Sequence, residues 1–373
     1  MNRQRRNRRS VAITSERNPV NLMLADRVAG ALWGMFIADA LAMPVHWFYG
    51  GNAQIRAMFG KNISAYEKPP QSFPGSIMAL SDTGGAGRGS SDGDIIGTVI
   101  NHGKKKFWQG SYHYHCTLPA GGTTLEGEMA RLAMRSMTQG TGFDLDRMQA
   151  DYVQFMTKPG SHSDAYASSY HRMFFARRAQ GFALRDCPSN DGHNVDAIDG
   201  LIIPTVVMLG GVSAPEPTTR VVAQQSVLVT RKSAMVETYV GELSLMLRAV
   251  LNGQTAAEAA QDASRRVFGR AISTWQPDPV VACYIEPNFK SLLLLAAKYT
   301  GFEGCLIANA NAGGENVHRG IVLGALLGAQ TGASGIPDSL KKGLARYADL
   351  ESEINAFVEA RVVPTAISHV EEL

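Results

Sequence analysis

NANAGGENVHRGIVLGALLGAQTG, residues 309–332, is the stretch on which the fold class turns. Gly320, Gly324, Gly328 and Gly332 recur at every fourth position. That spacing lines them along one stripe of a helix, where a second backbone can approach closely. Helix–helix packing accounts for the stripe but not for what precedes it. Gly313, Gly314, Glu315 and Asn316 form a flexible turn that delivers polar groups, His318 and Arg319 among them, to a helix start. Such a start presents unpaired N–H groups and the positive end of the helix dipole, a seat for phosphate or a sugar diphosphate. A glycine turn with Glu315 or Asn316 capping the helix explains the same residues.

The helical rhythm extends outward from this segment. In residues 24–42 apolar side chains return at three and four positions (Leu24, Val28, Ala31, Leu32, Met35), Asp39 arrives near the end, and Pro44 stops the helix. Further helices are expected over residues 124–137, 144–156, 164–180, 195–209, 218–251 with a break, 256–268, 288–299, 317–331 and 337–360. Residues 61–93 read as loop, with Pro69, Pro70, Pro74 and the glycine-rich SDTGGAGRGSSDGD, whose closing acids are placed to cap a helix over residues 95–100. Continuous period-2 alternation is nearly absent, and no interior stretch has a linker's composition. The expectation is a single all-α domain over residues 20–373, with long loops.

Composition narrows the function classes. Of 373 residues, 45% are hydrophobic and 18% charged, against roughly 25% charged in an average soluble protein, so much of the chain must lie inside. No apolar run approaches the roughly 18 uncharged residues of a spanning helix, and LIIPTVVMLGGV (residues 201–212) is short and carries Pro204, which argues against a membrane protein. Cys116, Cys187, Cys283 and Cys305 form neither a C-x-x-C pair nor a disulfide framework, which suits a reducing compartment such as the cytoplasm. The net charge of +3 is concentrated in residues 1–18, where six arginines against Glu16 give +5 and leave the body at −2. A nucleic-acid surface spreads its basic charge over the folded domain, so nucleic acid is not an expected partner. The Arg-rich, acid-poor residues 1–19 read as a solvated extension, or as an organelle import segment.

Other polar clusters compete for attention. Gly121 and Gly122 lead into Thr124, Leu125, Glu126, Gly127 and Glu128, where a threonine hydroxyl accepting the third N–H and a glutamate reaching back would form a capping arrangement. Two glycine-led helix starts with a carboxylate in the first turn are also how an all-α protein builds a ligand pocket. Asp39 opposes the dipole of its own helix, and a cation, a buried hydrogen-bond partner or exposure must offset it. His193, Asp196 and Asp199 share roughly one face if helical. Ser111–Cys116 contains H-x-H-C, with both histidines on one face of an extended strand as zinc ligands often are, but no fourth ligand follows at a zinc-like spacing. His115 is expected to line the pocket entered by the Thr124 loop. Gly89–Gly93 matches G-x-S-x-G without the strand that a nucleophile elbow needs. Residues 166–175 read as core packing with one polar edge.

Taken in order, three of these segments resemble the ADP-ribosylglycohydrolase family, which includes the J1-crystallin-like proteins. The family's N-terminal G-x-x-x-G-D-A-L-G-x-P appears here as Gly34 through Ala38, Asp39, Ala40, Leu41, Ala42, Met43 and Pro44, with alanine at both later glycine positions. Its central T-D-D-T-x-M aligns with Thr124-Leu125-Glu126-Gly127-Glu128-Met129. Its C-terminal G-G-D-T-D-x-x-G-A-x-x-G-A aligns with Gly313-Gly314-Glu315-Asn316-Val317-His318-Arg319-Gly320 and the glycine stripe beyond.

The resemblance implies a compact all-α protein removing ADP-ribose from proteins or related conjugates, with two Mg²⁺ ions held at the threonine and aspartate positions. Carried over, Thr124 survives, the central aspartates become Leu125 and Glu126, and the C-terminal pair becomes Glu315 and Val317. Leucine and valine offer no oxygen to a Mg²⁺ ion, which leaves Thr124, Glu126 and Glu315 for one ion, or for none. The expected working carboxylates are then Glu126 and Glu315, supported by Asp39, as general acid and base at a glycosidic bond of an ADP-ribosylated or nucleotide-like compound. Gly313, Gly314, Asn316, His318, Arg319, Thr124, His115, His193 and Asp196 are the expected substrate contacts, with a cation at His318 or Arg319 standing in for a lost metal. A non-catalytic binding or structural protein on the same scaffold, as the crystallin-like members suggest, is the alternative.

Overall fold

Helix signals in the sequence become fourteen α-helices in the computed structural model, which describes residues 19–83, 94–192, 194–275 and 281–363. They are α1 Pro19–Ala42, α2 Gly51–Phe59, α3 Leu125–Gln139, α4 Leu145–Thr157, α5 Ser169–Ala179, α6 Ile202–Gly210, α7 Glu216–Gln225, α8 Ala234–Leu251, α9 Ala256–Phe268, α10 Ile285–Lys298, α11 Phe302–Ala312, α12 Asn316–Thr331, α13 Asp338–Lys342 and α14 Tyr347–Arg361. Among the described residues only isolated β-bridges occur, so the protein is all-α.

The glycine stripe does what its spacing implies. A Cβ built on Gly34 would lie 2.0 Å from the carbonyl oxygen of Gly324, and one on Gly324 would lie 2.1 Å from that of Gly34. Gly30 and Gly328 mirror each other in the same way, at 2.3 and 2.0 Å. Residue numbers rise along α1 as they fall along α12, so the two helices run antiparallel with backbones nearly touching. The C-terminal end of α1, with Asp39, is thereby set against the N-terminal end of α12, with Glu315 and His318. By length and composition Met23–Val45 could cross a membrane, with mean hydropathy 1.6, but 94% of that window is covered by the rest of the protein.

Caps fix the other element that builds the site. Thr124 is the N-cap of α3, its hydroxyl accepting the Gly127 N–H at 3.3 Å. The glutamates do not reach back as expected: Glu126 and Glu128 turn to other partners. Asp144 caps α4 in the same manner, through the Arg147 N–H at 2.7 Å. Capping of this kind is worth about 1 kcal/mol per helix.

Several boundaries differ from the sequence reading. The helix expected over residues 95–100 is absent: Ile96 and Ile100 form a bridge around a tight turn, and Asp94 binds Thr83 and Lys105 instead of capping. Residues 194–197 precede a short 3₁₀ turn at Ile198–Leu201, so Asp196 and Asp199 do not share a helix face. Helices α2 and α11 carried no legible signal, and residues 337–360 split into α13 and α14.

Candidate active site

Two carboxylates are seated on the N-terminus of α3. Asp39 Oδ2 accepts the Thr124 N–H at 3.0 Å, and Asp164 Oδ2 accepts the Leu125 N–H at 2.9 Å. A Cβ on Gly127 would fall 2.2 Å from Asp39 Oδ2, so the glycine is what lets the carboxylate come this close. A buried hydrogen-bond partner therefore offsets the dipole that Asp39 opposes in its own helix. The second oxygen, Oδ1, has no hydrogen-bond partner, and the side chain is fully buried. Burial pushes its pKa from 3.8 to about 7, against the pull of Thr124 and the nearby His115 and His318.

A chain of polar groups leads from Asp164 to the start of α12. Asp164 meets His115 Nδ1 at 2.9 Å, His115 Nε2 meets His46 Nδ1 at 2.7 Å, and His46 Nε2 lies 3.1 Å from Glu315 Oε1. The same Oε1 lies 2.6 Å from His318 Nδ1, and Oε2 accepts the Trp47 indole N–H at 2.5 Å. Glu315 therefore makes no side-chain cap for α12, contrary to one of the two sequence readings. Burial opposes its charge, but His318 and His46 hold its pKa well below the ordinary carboxylate value. Burial would likewise lower His318, yet Glu315, then Asp199 and Glu126, raise its pKa to about 10. His46, whose strongest influence is burial, falls to about 3.

Glu126 lies beside this chain with both oxygens engaged. Ser168 Oγ donates to Oε1 at 3.0 Å, the Tyr170 hydroxyl donates to Oε2, and His171 Nε2 stands 3.3 Å from Oε1. Burial works against its charge, but His171, His318 and Tyr170 pull its pKa down. Behind it Asp199 pairs with Arg231 at 2.6 Å, and the Arg231 guanidinium lies over the Tyr170 ring.

Trp47 connects the cluster to a cavity of about 500 Å³. Its wall includes Trp47, Tyr49, Tyr114, Tyr166, Cys283 and Tyr284. Trp47 meets Tyr114 and Tyr166 edge-on, with ring centroids 4.4 and 5.0 Å away. This volume falls within the range of small-molecule sites.

The remaining expected contacts are placed elsewhere. The turn at Gly313 and Gly314 is spent on packing: Gly314 N–H donates to Phe48 O at 3.1 Å, Trp47 N–H donates to Gly314 O at 2.9 Å, and a Cβ on Gly313 would lie 2.4 Å from Phe48 O. Asn316 gives its amide N–H to Ala310 O at 2.8 Å, and Arg319 bonds Asn309 Oδ1 at 2.8 Å, so both brace the turn from inside. Asp196 accepts the Ser233 hydroxyl at 2.5 Å, away from the carboxylate cluster. His193 lies outside the described residues. His113 packs edge-on and tilted among Phe48, Phe73 and Tyr114, its ring centroid 5.8 Å from that of His115 and its Nδ1 accepting the His115 backbone N–H at 3.1 Å, so that nitrogen is spent inside the chain. Thr124 and His115 do join Asp39, Glu126, Glu315 and His318 in one buried region.

A model of the ADP-ribosylglycohydrolase family matches residues 21–366. The chain belongs to the ADP-ribosylglycohydrolase family. A solved structure described as an ADP-ribosylglycohydrolase-related protein complex superposes with a TM-score of 0.59 at 17% identity, over 91% of this chain and 99% of that one, a likeness of fold. No curated protein sequence matches the chain. For a member of this family the donor set is unusual. Leu125 and Val317 supply no oxygen, the Thr124 hydroxyl caps α3, and Glu126 and Glu315 have both oxygens occupied by protein donors. These residues do not fit a pair of Mg²⁺ ions, which demand near-octahedral oxygen ligands.

Sequence reasoning assigns no role to His46, Trp47, Asp164, Ser168, Tyr170, His171 or Arg231. The signal available is the density of Tyr, Ser and His in residues 166–171, part of the 166–175 stretch read as core packing.

Proposed function

We propose that the protein is a hydrolase of the ADP-ribosylglycohydrolase type, cleaving a glycosidic bond to the ribose of an ADP-ribosylated or nucleotide-like compound. The observation that carries this reading is Trp47, whose indole walls the aromatic cavity while its N–H grips Glu315. A planar base or ribosyl group held against Trp47, Tyr114 and Tyr166 would bring its sugar toward the carboxylates.

The chemistry needs a group that moves a proton near neutral pH and fixed negative charge facing the positive charge that develops on the sugar. Asp39, with a pKa near 7 and an oxygen that no protein group occupies, suits the first task. Glu126 and Glu315 are held ionised by their donors and suit the second. This exchanges the roles expected from sequence, in which the glutamates worked and Asp39 supported them. His318 balances the charge of Glu315. His115 and Asp164 orient His46, and Thr124 orients Asp39.

Release of ADP-ribose from N-linked and O-linked ADP-ribosyl conjugates, measured for the wild type and Asp39→Asn, tests the reading. Wild-type turnover that falls at least 10²-fold in the variant is expected. Equal turnover removes Asp39 from the chemistry. No release from any conjugate, together with a flat calorimetric titration against ADP-ribose, leaves the structural, crystallin-like alternative.

A further inference from the structure

Glu315 Oε1 has two imidazole nitrogens around it, His46 Nε2 at 3.1 Å and His318 Nδ1 at 2.6 Å. The three ligand atoms lie within 4.8 Å of one another, and all three side chains are buried. Separations near 3 Å are what two ligands of one small divalent ion show when each bond is about 2.0–2.1 Å.

The hydrogen-bond chain behind His46 supports the tautomer that bares its Nε2. Asp164 accepts from the Leu125 N–H, and its carboxylate receives His115 Nδ1–H. In the tautomer that places the hydrogen of the 2.7 Å contact on His46 Nδ1, His115 Nε2 is the acceptor and His46 Nε2 keeps a lone pair for an ion at Glu315 Oε1. The Trp47 N–H fixes the other carboxylate oxygen. A ligand histidine held by a second histidine that a carboxylate backs, and a ligand carboxylate pinned at its other oxygen, are outer supports of the kind that orient ligands around a bound metal.

We infer that His46, Glu315 and His318 form a binding site for one divalent ion of the late first row, such as Zn²⁺ or Co²⁺. Two imidazoles and one carboxylate suit such ions, whereas Mg²⁺ selects all-oxygen sets. The ion takes the place of the hydrogen between His318 and Glu315 and satisfies the bare nitrogen of His46. Three protein ligands leave coordination positions free, and Trp47, which donates to Glu315, also lines the cavity. The site shares Glu315 with the hydrolase proposed above but is read from geometry, so its test does not depend on turnover.

Tag-free protein is stripped with a chelator, dialysed and titrated calorimetrically with Zn²⁺, Co²⁺ and Mg²⁺. The expected result is one equivalent of Zn²⁺ or Co²⁺ bound, visible d–d absorption from the Co²⁺ form, and no Mg²⁺ heat at millimolar concentration. His318→Gln and His46→Gln, checked for folding by circular dichroism, are expected to weaken binding at least tenfold. Asp164→Asn is expected to weaken it about tenfold through the loss of orientation. His102→Gln, which alters a histidine bonded to Thr157 O instead, is expected to leave binding unchanged. No stoichiometric Zn²⁺ or Co²⁺ binding by the wild type overturns the inference, as does tight binding that survives both histidine changes. A wild type that binds no Zn²⁺ or Co²⁺ yet cleaves ADP-ribosyl conjugates overturns this inference alone. A metal-bearing protein inert to ADP-ribosyl conjugates overturns only the hydrolase reading.

Discussion

Thr124 and Asp39, 85 positions apart, are joined by a hydrogen bond of 3.0 Å from the backbone N–H of one to the carboxylate of the other. A carboxylate at the C-terminal end of its own helix becomes, through the close approach that Gly127 permits, a carboxylate at the N-terminal end of α3. Favourable helix-terminus interactions of this kind reach about 2 kcal/mol when partly buried. Burial of the charge outweighs that gain, because the pKa still rises to about 7.

The raised pKa sets a pH dependence for stability. The folded protein binds the Asp39 proton more tightly than the unfolded chain, so this group's contribution is fully present below about pH 4 and is lost as pH rises toward 7. Asparagine keeps an acceptor for the Thr124 N–H and carries no charge to bury. In chelator-treated protein, Asp39→Asn is expected to raise the melting temperature relative to wild type, with a gap that widens from pH 4 to 7 and then stays level. The full difference is at most about 4 kcal/mol, from about three pKa units at 1.36 kcal/mol each. A gap independent of pH contradicts the assignment.

The contact between α1 and α12 makes a second prediction. A methyl group on Gly34 or Gly324 meets a backbone carbonyl that no rotamer change can move. Gly34→Ala and Gly324→Ala are each expected to cost about 3 kcal/mol, the upper end of overpacking, measured as a shift in denaturant midpoint at unchanged slope. In the middle of α8, Gly241 meets only ordinary contacts at 3.4 Å or more. Gly241→Ala is expected to be neutral, or stabilising by about 0.5–1 kcal/mol through helix propensity.

Much of this fold could be read from local pattern, because its strongest elements repeat a local signal. The glycine stripe, the apolar rhythm from Leu24 to Met35, and caps such as Thr124 and Asp144 each lie within one or two turns of chain. The all-α class, α9 residue for residue, and most helix ends followed from them. The site is legible only where a helix end carries it. Asp39, Thr124, Glu126, Glu315 and His318 occupy helix termini and were found. Asp164, Ser168 and Tyr170 acquire meaning only when residues 164–170 fold against α3, and Trp47 only when its loop pairs with Gly314. The polar character of Gly313, Gly314, Asn316 and Arg319 misled for the complementary reason. Buried turns and arginines need internal partners, and sequence does not distinguish a brace from a ligand contact.

Glu126 and Tyr170 form a pair whose coupling can be measured. A hydrogen bond to a buried ionised group is worth about 1.5–3 kcal/mol, and removing the donor leaves the carboxylate underserved. Tyr170→Phe is expected to destabilise by that amount, while the same change in a Glu126→Gln background is expected to cost distinctly less. A double-mutant cycle with a coupling above about 1 kcal/mol bears this out, and additivity within about 0.5 kcal/mol shows that the two side chains do not interact.

Trp47 provides the sharpest test of how the cavity communicates with the carboxylates. Its backbone sits at φ 59, a left-handed conformation that costs a bulky residue about 1–3 kcal/mol and persists only where the surroundings impose it. Here they do: its N–H donates to Gly314 O while Phe48 O receives the Gly314 N–H, clamping the loop to the start of α12. The clamp aims the indole N–H at Glu315 Oε2, while the ring stacks on His46 and lines the cavity. Phenylalanine keeps an aromatic wall and removes that single donor. Trp47→Phe is therefore expected to hold ADP-ribose within about threefold of the wild-type Kd while turnover on ADP-ribosyl conjugates drops about 10- to 100-fold, the loss seen when an oriented donor to a charged group is removed. If turnover falls while Kd rises in step, Trp47 acts only as a wall. If neither changes, the cavity and Glu315 work independently, and the link between ligand and carboxylate must run through another residue.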